Sequence, residues 1–195
     1  MESLPAWQLQ PASSTTRLWL FLLAVVLPVA ITIGALAFAA NDPAPKQLTG
    51  NSTWLTNAVI GIGLLVLCLA IHWIIGRALR RHRITLDDDD LTIATTFYTR
   101  KLGWDGLQLQ QARVVDLDEH TGLKPLFKSN GTSLPGFRSG WFRLRNRNKA
   151  LVATAGSPRV LYLPTTQGYD LLLQPRQPQA LLQRLQELAP ASARR

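Results

Sequence analysis

Two long stretches without charge constrain this chain more than any other feature. Residues 18–41 contain no Asp, Glu, Lys or Arg across 24 positions, and residues 47–76 contain none across 30. As a helix rising ~1.5 Å per residue, the run from Leu18 to Ala40 reaches ~34 Å, enough for a hydrocarbon core of ~30 Å. Trp54 to Gly76 is equally long. Only 17% of the chain is charged, against roughly 25% in ordinary soluble domains. The deficit lies in these two runs. Residues 77–195 hold 19 Lys and Arg against 10 Asp and Glu, so they carry the whole net charge of +9. This distribution excludes a plain soluble enzyme, a disordered chain and a disulfide scaffold.

The first run could be read as a cleaved signal, because Ala37-Phe38-Ala39 has the form of a cleavage site. It is longer than the ~7–15 residues of a signal core, and the segment before it brings Glu2 but no cation until Arg17. The sequence therefore reads as a retained helix. Trp54 and Trp73 flank the second run, as aromatic residues do at membrane–water boundaries. Pro28 is tolerable in a membrane helix, where neighbouring groups re-satisfy the broken bond. Gly34, Gly61 and Gly63 permit close approach but do not form a GxxxG face. Cys68 is the single cysteine; no disulfide or cysteine-pair zinc site is possible within the chain, and it reads as a small apolar filler. His72 reads as a headgroup-level residue, since no acidic partner lies in either run.

Arg77, Arg80, Arg81 and Arg83 follow the second run, whereas the connector before it has only Lys46. The positive-inside rule puts residue 77 onward in the cytoplasm. The organisation expected is a leader at 1–17, a membrane helix at 18–40, an extracytoplasmic connector at 41–53 and a second membrane helix at 54–76. A basic juxtamembrane linker (77–83), a folded domain (84–189) and a tail (190–195) complete it. The chain is then a multi-pass protein of a bacterial cytoplasmic (inner) membrane.

The domain reads as short strands. Ile84–Leu86 and Leu91–Phe97 alternate around an acidic turn, Asp87–Asp90, which makes a hairpin. Further strands are expected at Gln110–Leu117, Trp141–Arg145, Ala150–Ala155, Val160–Pro164 and Gly168–Leu173. Turns are expected at Asn146–Lys149 and Thr166–Gly168. Leu181, Leu182, Leu185 and Leu188 after Pro178 have the spacing of an amphipathic helix, with Pro at its start and Pro190 beyond its end. Residues 121–140 read as an exposed loop.

Catalytic signatures are absent from the sequence: it has no G-x-S-x-G, no Walker A and no G-x-G-x-x-G motif. Asp118, Glu119 and His120 are adjacent, and neighbouring strand residues point to opposite faces. Asp87–Asp90 lacks the spaced ligands and glycine of a calcium loop. No enzyme activity and no cofactor or metal is therefore expected. The stronger lead is basic. Arg138, Arg143, Arg145, Arg147 and Lys149 fall within twelve residues, and either a straight strand or a turn at 146–149 makes a positive patch of them. Near an anionic leaflet each cation contributes ~1 kcal/mol. Nucleic acid is not expected, because the patch has no stacking platform or recognition helix. Leu134, Pro135, Gly136, Phe137 and Trp141 form a second candidate. Pro135 and Gly136 are a turn pair, Phe137 can anchor it, and such a loop can hold a partner.

The stretch Gly131-Thr132-Ser133-Leu134-Pro135-Gly136-Phe137-Arg138-Ser139-Gly140-Trp141-Phe142 resembles membrane-anchored bacterial proteins with a PH-like (pleckstrin homology-like) domain. The likeness continues through Val160–Thr165, Gly168–Leu173, Pro175 and the final helix. It covers roughly 84–189. It implies a membrane-anchored α+β chain: two N-terminal membrane helices, then a PH-like antiparallel β-sandwich or barrel of about seven strands, capped by a C-terminal helix. It implies no catalytic residues. In lipid-binding relatives of the PH fold, basic residues line the first loop; here that loop is Asp87–Asp90, which would repel a phosphorylated headgroup. The functional expectation is a non-catalytic interaction module that engages a protein partner or a second copy. The alternatives are a sensor of anionic lipid headgroups using the basic hairpin and the juxtamembrane arginines, and an accessory subunit of a membrane transporter or enzyme.

Overall fold

The computed structural model describes residues 8–39, 53–79, 83–87 and 90–189. The first seven residues of the leader, nearly all of the connector, Arg80, Arg81, His82, Asp88, Asp89 and the tail from 190 lie outside the described residues, as does the side chain of Trp54. The chain divides into two units, one comprising residues to Thr16 together with those from Ala78, the other Arg17–Arg77.

In the helical part, α1 (Ser14–Phe21) passes through a π-helical turn, Leu22–Val26, into α2 (Leu27–Ala39), and α3 spans Thr53–Ala78. The wide turn lies just before Pro28, whose ring crowds the carbonyl four residues back and which has no N–H to give. Bonding the Leu27 N–H to the Leu22 carbonyl instead accommodates it within the helix. The Thr32 hydroxyl donates to the Pro28 carbonyl at 2.9 Å. Two helical stretches, Ser14–Phe38 and Leu55–Ala78, are long and apolar enough to cross a membrane. Apolar side chains such as Ile31, Ile62 and Trp73 are exposed along them. Cys68 is buried, and His72 meets the Phe21 ring edge-on, with centroids 5.6 Å apart.

The other unit is a mostly antiparallel sandwich of two sheets with a C-terminal helix. A three-stranded meander joins β1 (Arg83–Leu86), β2 (Asp90–Ala94) and β3 (Thr99–Gly103). The larger sheet contains β4 (Arg113–Asp116), β5 (Pro125–Leu134), β6 (Phe137–Leu144), β7 (Lys149–Thr154), β8 (Arg159–Pro164) and β9 (Asp170–Leu173) in the spatial order β4-β8-β9-β7-β6-β5. Only β7 and β9 run parallel, because β9 inserts between β7 and β8. All four residues of β9 are buried, the pattern of a central strand covered on both faces. Helix α4 (Pro178–Leu188) buries Leu181 and Leu185 against the main core. That core joins Ile84, Leu91, Ile93 and Leu102 of the small sheet to Leu151, Leu161, Leu163 and Leu171 of the large one. Val115, Phe142, Leu144, Val152, Val160 and Leu172 form a second cluster from the alternate positions.

The described residues hold nine strands rather than about seven. The two unexpected ones, β3 and β5, are edge strands and need no apolar alternation. Leu102 is the sole buried residue of β3. Strand β5 runs through the region expected to be a loop; it is largely exposed and carries two register shifts, at Leu126 and Ser129. Three expected strands are shorter. Leu109–Gln111 is a 3-10 turn, which buries Leu109 and Ala112 together. Strand β2 stops at Ala94 because the Thr95 N–H and hydroxyl both bond the Tyr98 carbonyl, at 2.7 and 3.0 Å. Strand β9 begins at Asp170, after Thr165 Oγ1 has bonded the Tyr169 carbonyl. The segment read as a separate leader also differs: Gln8–Thr16 packs in the same unit as the sheets.

Candidate interaction surface

The β6–β7 connection is a three-residue loop, Arg145–Arg147. Leu144 and Asn148 close it, with the Leu144 N–H donating to the Asn148 carbonyl at 2.8 Å and the Arg147 N–H to the Leu144 carbonyl at 3.0 Å. Arg147 takes the left-handed conformation, φ 72°. This is a type of hairpin that ends in a one-residue bulge. The Asn146 carboxamide accepts from the Asn148 N–H at 3.0 Å. The tip is held to the chain entering β5 by Arg145 N–H to Lys124 O (3.0 Å) and Asn146 N–H to Gly122 O (2.8 Å).

Registers across β5, β6 and β7 set Phe127, Arg143 and Lys149 in one cross-strand row. Residues directly opposite share a face. The next row on that face contains Trp141 and Leu151. Trp141 is buried, and its ring is bracketed by cations: Lys149 Nζ lies 4.4 Å and the Arg100 guanidinium 5.4 Å from its centroid. Tyr169 and Tyr98 meet the ring edge-on at 5.0 and 6.2 Å. Burial raises the Tyr169 phenol above its usual range, opposed by Arg100. Arg143 donates to the Arg147 carbonyl at 2.9 Å. Among the described residues, the exposed guanidinium groups of Arg145 and Arg147 have no side-chain partner.

Leu126 and Phe127 of the bulged edge are 52% and 66% exposed, beside this basic row. Outside the apolar helices, Phe97 is the other large apolar side chain so exposed among the described residues. The result is an apolar edge flanked by Lys128, Arg143, Arg145, Arg147 and Lys149. The sequence expectation found four of these cations. It missed Leu126, Phe127 and Lys128, whose relevance depends on strand pairing, and Arg100, which reaches Trp141 from the other sheet.

Arg138 is not part of this row. It lies at the start of β6, exposed, and lines a cavity of ≈ 590 Å³ with Asp118, Lys124, Ser133, Phe137, Thr154 and Pro158. Lys124 Nζ is engaged by Asp118 there, at 2.8 Å. The binding loop expected at Leu134–Trp141 is instead a tight hairpin. Leu134 pairs with Phe137, Pro135 and Gly136 form the turn, and Gly136 has φ 72°, as the third position of a type II turn requires. Phe137 and Trp141 are buried and unavailable for direct contact; they anchor the hairpin. Of the juxtamembrane arginines, Arg77 stands 5.8 Å over the Trp73 ring and Arg83 is an exposed residue opening β1. Strands β1 and β2 pair antiparallel as expected, with the Asp87 N–H on the Asp90 carbonyl at 2.9 Å and the Asp90 carboxylate on Lys101 at 2.8 Å. His120 Nδ1 is 3.2 Å from the Asp116 carbonyl.

Two packed sheets and a C-terminal helix are consistent with a PH-like fold. Residues 82–189 match the family described as Bacterial PH domain. The chain belongs to that family. No curated protein and no solved structure matches it. PH domains are generally non-catalytic interaction modules.

Proposed function

We propose that this protein is a membrane-anchored, non-catalytic module that engages a protein partner through the β5–β7 face. The observation that carries the reading is the row Phe127–Arg143–Lys149, with Leu126, Arg145 and Arg147 beside it. Aromatic residues and arginine are the side chains that supply most of the energy at protein interfaces. An acidic partner surface complements the charge. Two spans with the domain in the cytoplasm fit this reading. The Arg cluster that follows α3 in the sequence accords with the positive-inside rule.

The test is affinity purification of the full-length protein from native membranes in mild detergent, beside a variant with Arg143, Arg145 and Arg147 all changed to Ser. A stoichiometric partner lost in the variant supports the reading. The same cations beside an exposed Phe127 also suit a membrane surface, so anionic lipid is the second reading. Full-length protein in liposomes with and without anionic lipid separates the two. Lipid docking of the hairpin weakens steeply with salt, and then no protein co-purifies.

A further inference from the structure

Residues 174–176 extend β9 and leave one side open. On their inner side, Gln174 N–H donates to the Ala153 carbonyl of β7 at 2.8 Å. On the outer side lies an N-terminal segment from the far end of the sequence. Leu9 bridges Pro175 in antiparallel register. Gln10 N–H donates to Gln174 O at 2.9 Å, and Arg176 N–H donates to Gln8 O at 3.0 Å. The two glutamine side chains extend the pairing. The Gln8 carboxamide donates to Ile84 O at 2.8 Å and accepts from Ile84 N–H at 3.2 Å, taking the place of a strand beside β1. Gln10 Oε1 accepts from the Gln174 side chain at 2.6 Å. Leu9 is 4% exposed and belongs to the main core. Farther on, the Thr16 hydroxyl donates to the Pro135 carbonyl at 3.0 Å.

Removing this segment would strip partners from four backbone groups, on Ile84, Gln174 and Arg176, and open a leucine-sized slot in the core. A sheet edge with unpaired groups and a side-chain pocket is how domains take up extended peptides. The residues that match the family begin at 82, so the groove belongs to the family's domain while its occupant does not.

We propose that this groove is a peptide-docking site of the strand-addition kind. Its ligand class is an extended segment with a leucine anchor between two carboxamide side chains, and the chain's own residues 8–10 are its resident occupant. The N-terminal segment is thus a latch: while it is docked, no other segment enters.

The experiment uses full-length protein in detergent and a fluorescent peptide of residues 5–13. Leu9→Asp in the protein places a charge in the slot and releases the latch. The released protein should bind the peptide saturably. The unmodified protein should bind at least tenfold more weakly, because the tethered segment competes at an effective concentration of about 1 mM. A peptide carrying Leu9→Asp should not bind. The proposal is overturned if the Leu9→Asp protein keeps its far-ultraviolet circular dichroism yet takes up no peptide, or if the unmodified protein binds equally well. Should Leu9→Asp fail to fold, the pair Gln10→Cys and Gln174→Cys in a Cys68→Ala chain decides the matter. Oxidation should link the two cysteines within one chain and abolish peptide uptake; no link, or a link between two chains, overturns the latch.

Discussion

Gly131 and Gly140 face each other across the β5–β6 ladder, with φ of 144° and 122°. The two backbones approach so closely that a Cβ on Gly140 would lie 2.5 Å from the Asn130 carbonyl oxygen and 2.7 Å from the Gly131 Cα, and one on Gly131 would collide with the Ser139 carbonyl. Only backbone stands in the way, so nothing can move aside cheaply. Gly131→Ala and Gly140→Ala should each cost about 2–4 kcal/mol, combining left-handed strain with the collision. Gly136→Ala meets only the Thr16 hydroxyl, at 3.4 Å, and should cost about 1–2 kcal/mol for its backbone angle. Urea unfolding of the three variants, monitored by circular dichroism, checks both the magnitude and the order.

Arg147 holds the left-handed position of the basic hairpin with φ 72°, where glycine is the usual residue. The bonds that shape the loop use its backbone, not its side chain. Arg147→Gly should therefore stabilise the protein by up to about 1 kcal/mol, relief of strain outweighing added freedom of the unfolded chain. Arg147→Val should destabilise it by about 1–2 kcal/mol. Thermal unfolding reads both signs.

The Tyr162 phenol is pushed up to about 12, first by burial, then by the charge of Asp170 and the hydrogen bond to it, against a smaller opposing effect of Arg113. Its hydroxyl donates to Asp170 Oδ2 at 3.1 Å. Because the folded value lies above the unfolded value of 10.0, the folded state holds the proton more tightly. The associated stability is complete below pH ~10 and lost as the pH rises through ~12. Spectrophotometric titration near 295 nm should show one tyrosine ionising near pH 12. Tyr162→Phe should remove that step and flatten the alkaline loss of stability over the same range.

Helix α4 begins at Pro178 with Gln177 as N-cap in extended conformation, and Gln177 makes no capping hydrogen bond through its side chain. Gln177→Asp places a short carboxylate where it can accept from the first turn and face the positive end of the helix. It should raise stability by about 0.5–1 kcal/mol. An unchanged melting temperature would show that the position is already satisfied in another way.

Legibility in the sequence followed burial. The two apolar runs were readable from their length and lack of charge, although few of their side chains are buried; β7, β8, β9 and α4 carry side chains whose spacing is imposed by what they bury, and each was readable. Strands β3 and β5 lie at sheet edges and bury little, so Thr99–Gly103 and Pro125–Leu134 carry no periodic signal. The candidate surface was half visible for the same reason. Arg143, Arg145, Arg147 and Lys149 stand close in sequence, while Phe127 joins them only through strand pairing and Arg100 only through packing of one sheet on the other. The Pro135–Gly136 turn and the anchoring role of Phe137 were readable from residue types, whereas Trp141 stands among the contact candidates until the sheet buries it.

The sequence by itself determined two apolar helices, a basic remainder and a PH-like strand order ending in a helix, because hydrophobic spacing and charge are local properties of the chain. Tertiary structure decided what depends on distant segments meeting. It inserted β9 between β7 and β8, set Phe127 beside Arg143, brought Lys149 over Trp141, and seated Leu9 against Pro175. Those contacts join residues up to 166 positions apart, and no local pattern records a hydrogen bond whose partner lies at the other end of the chain.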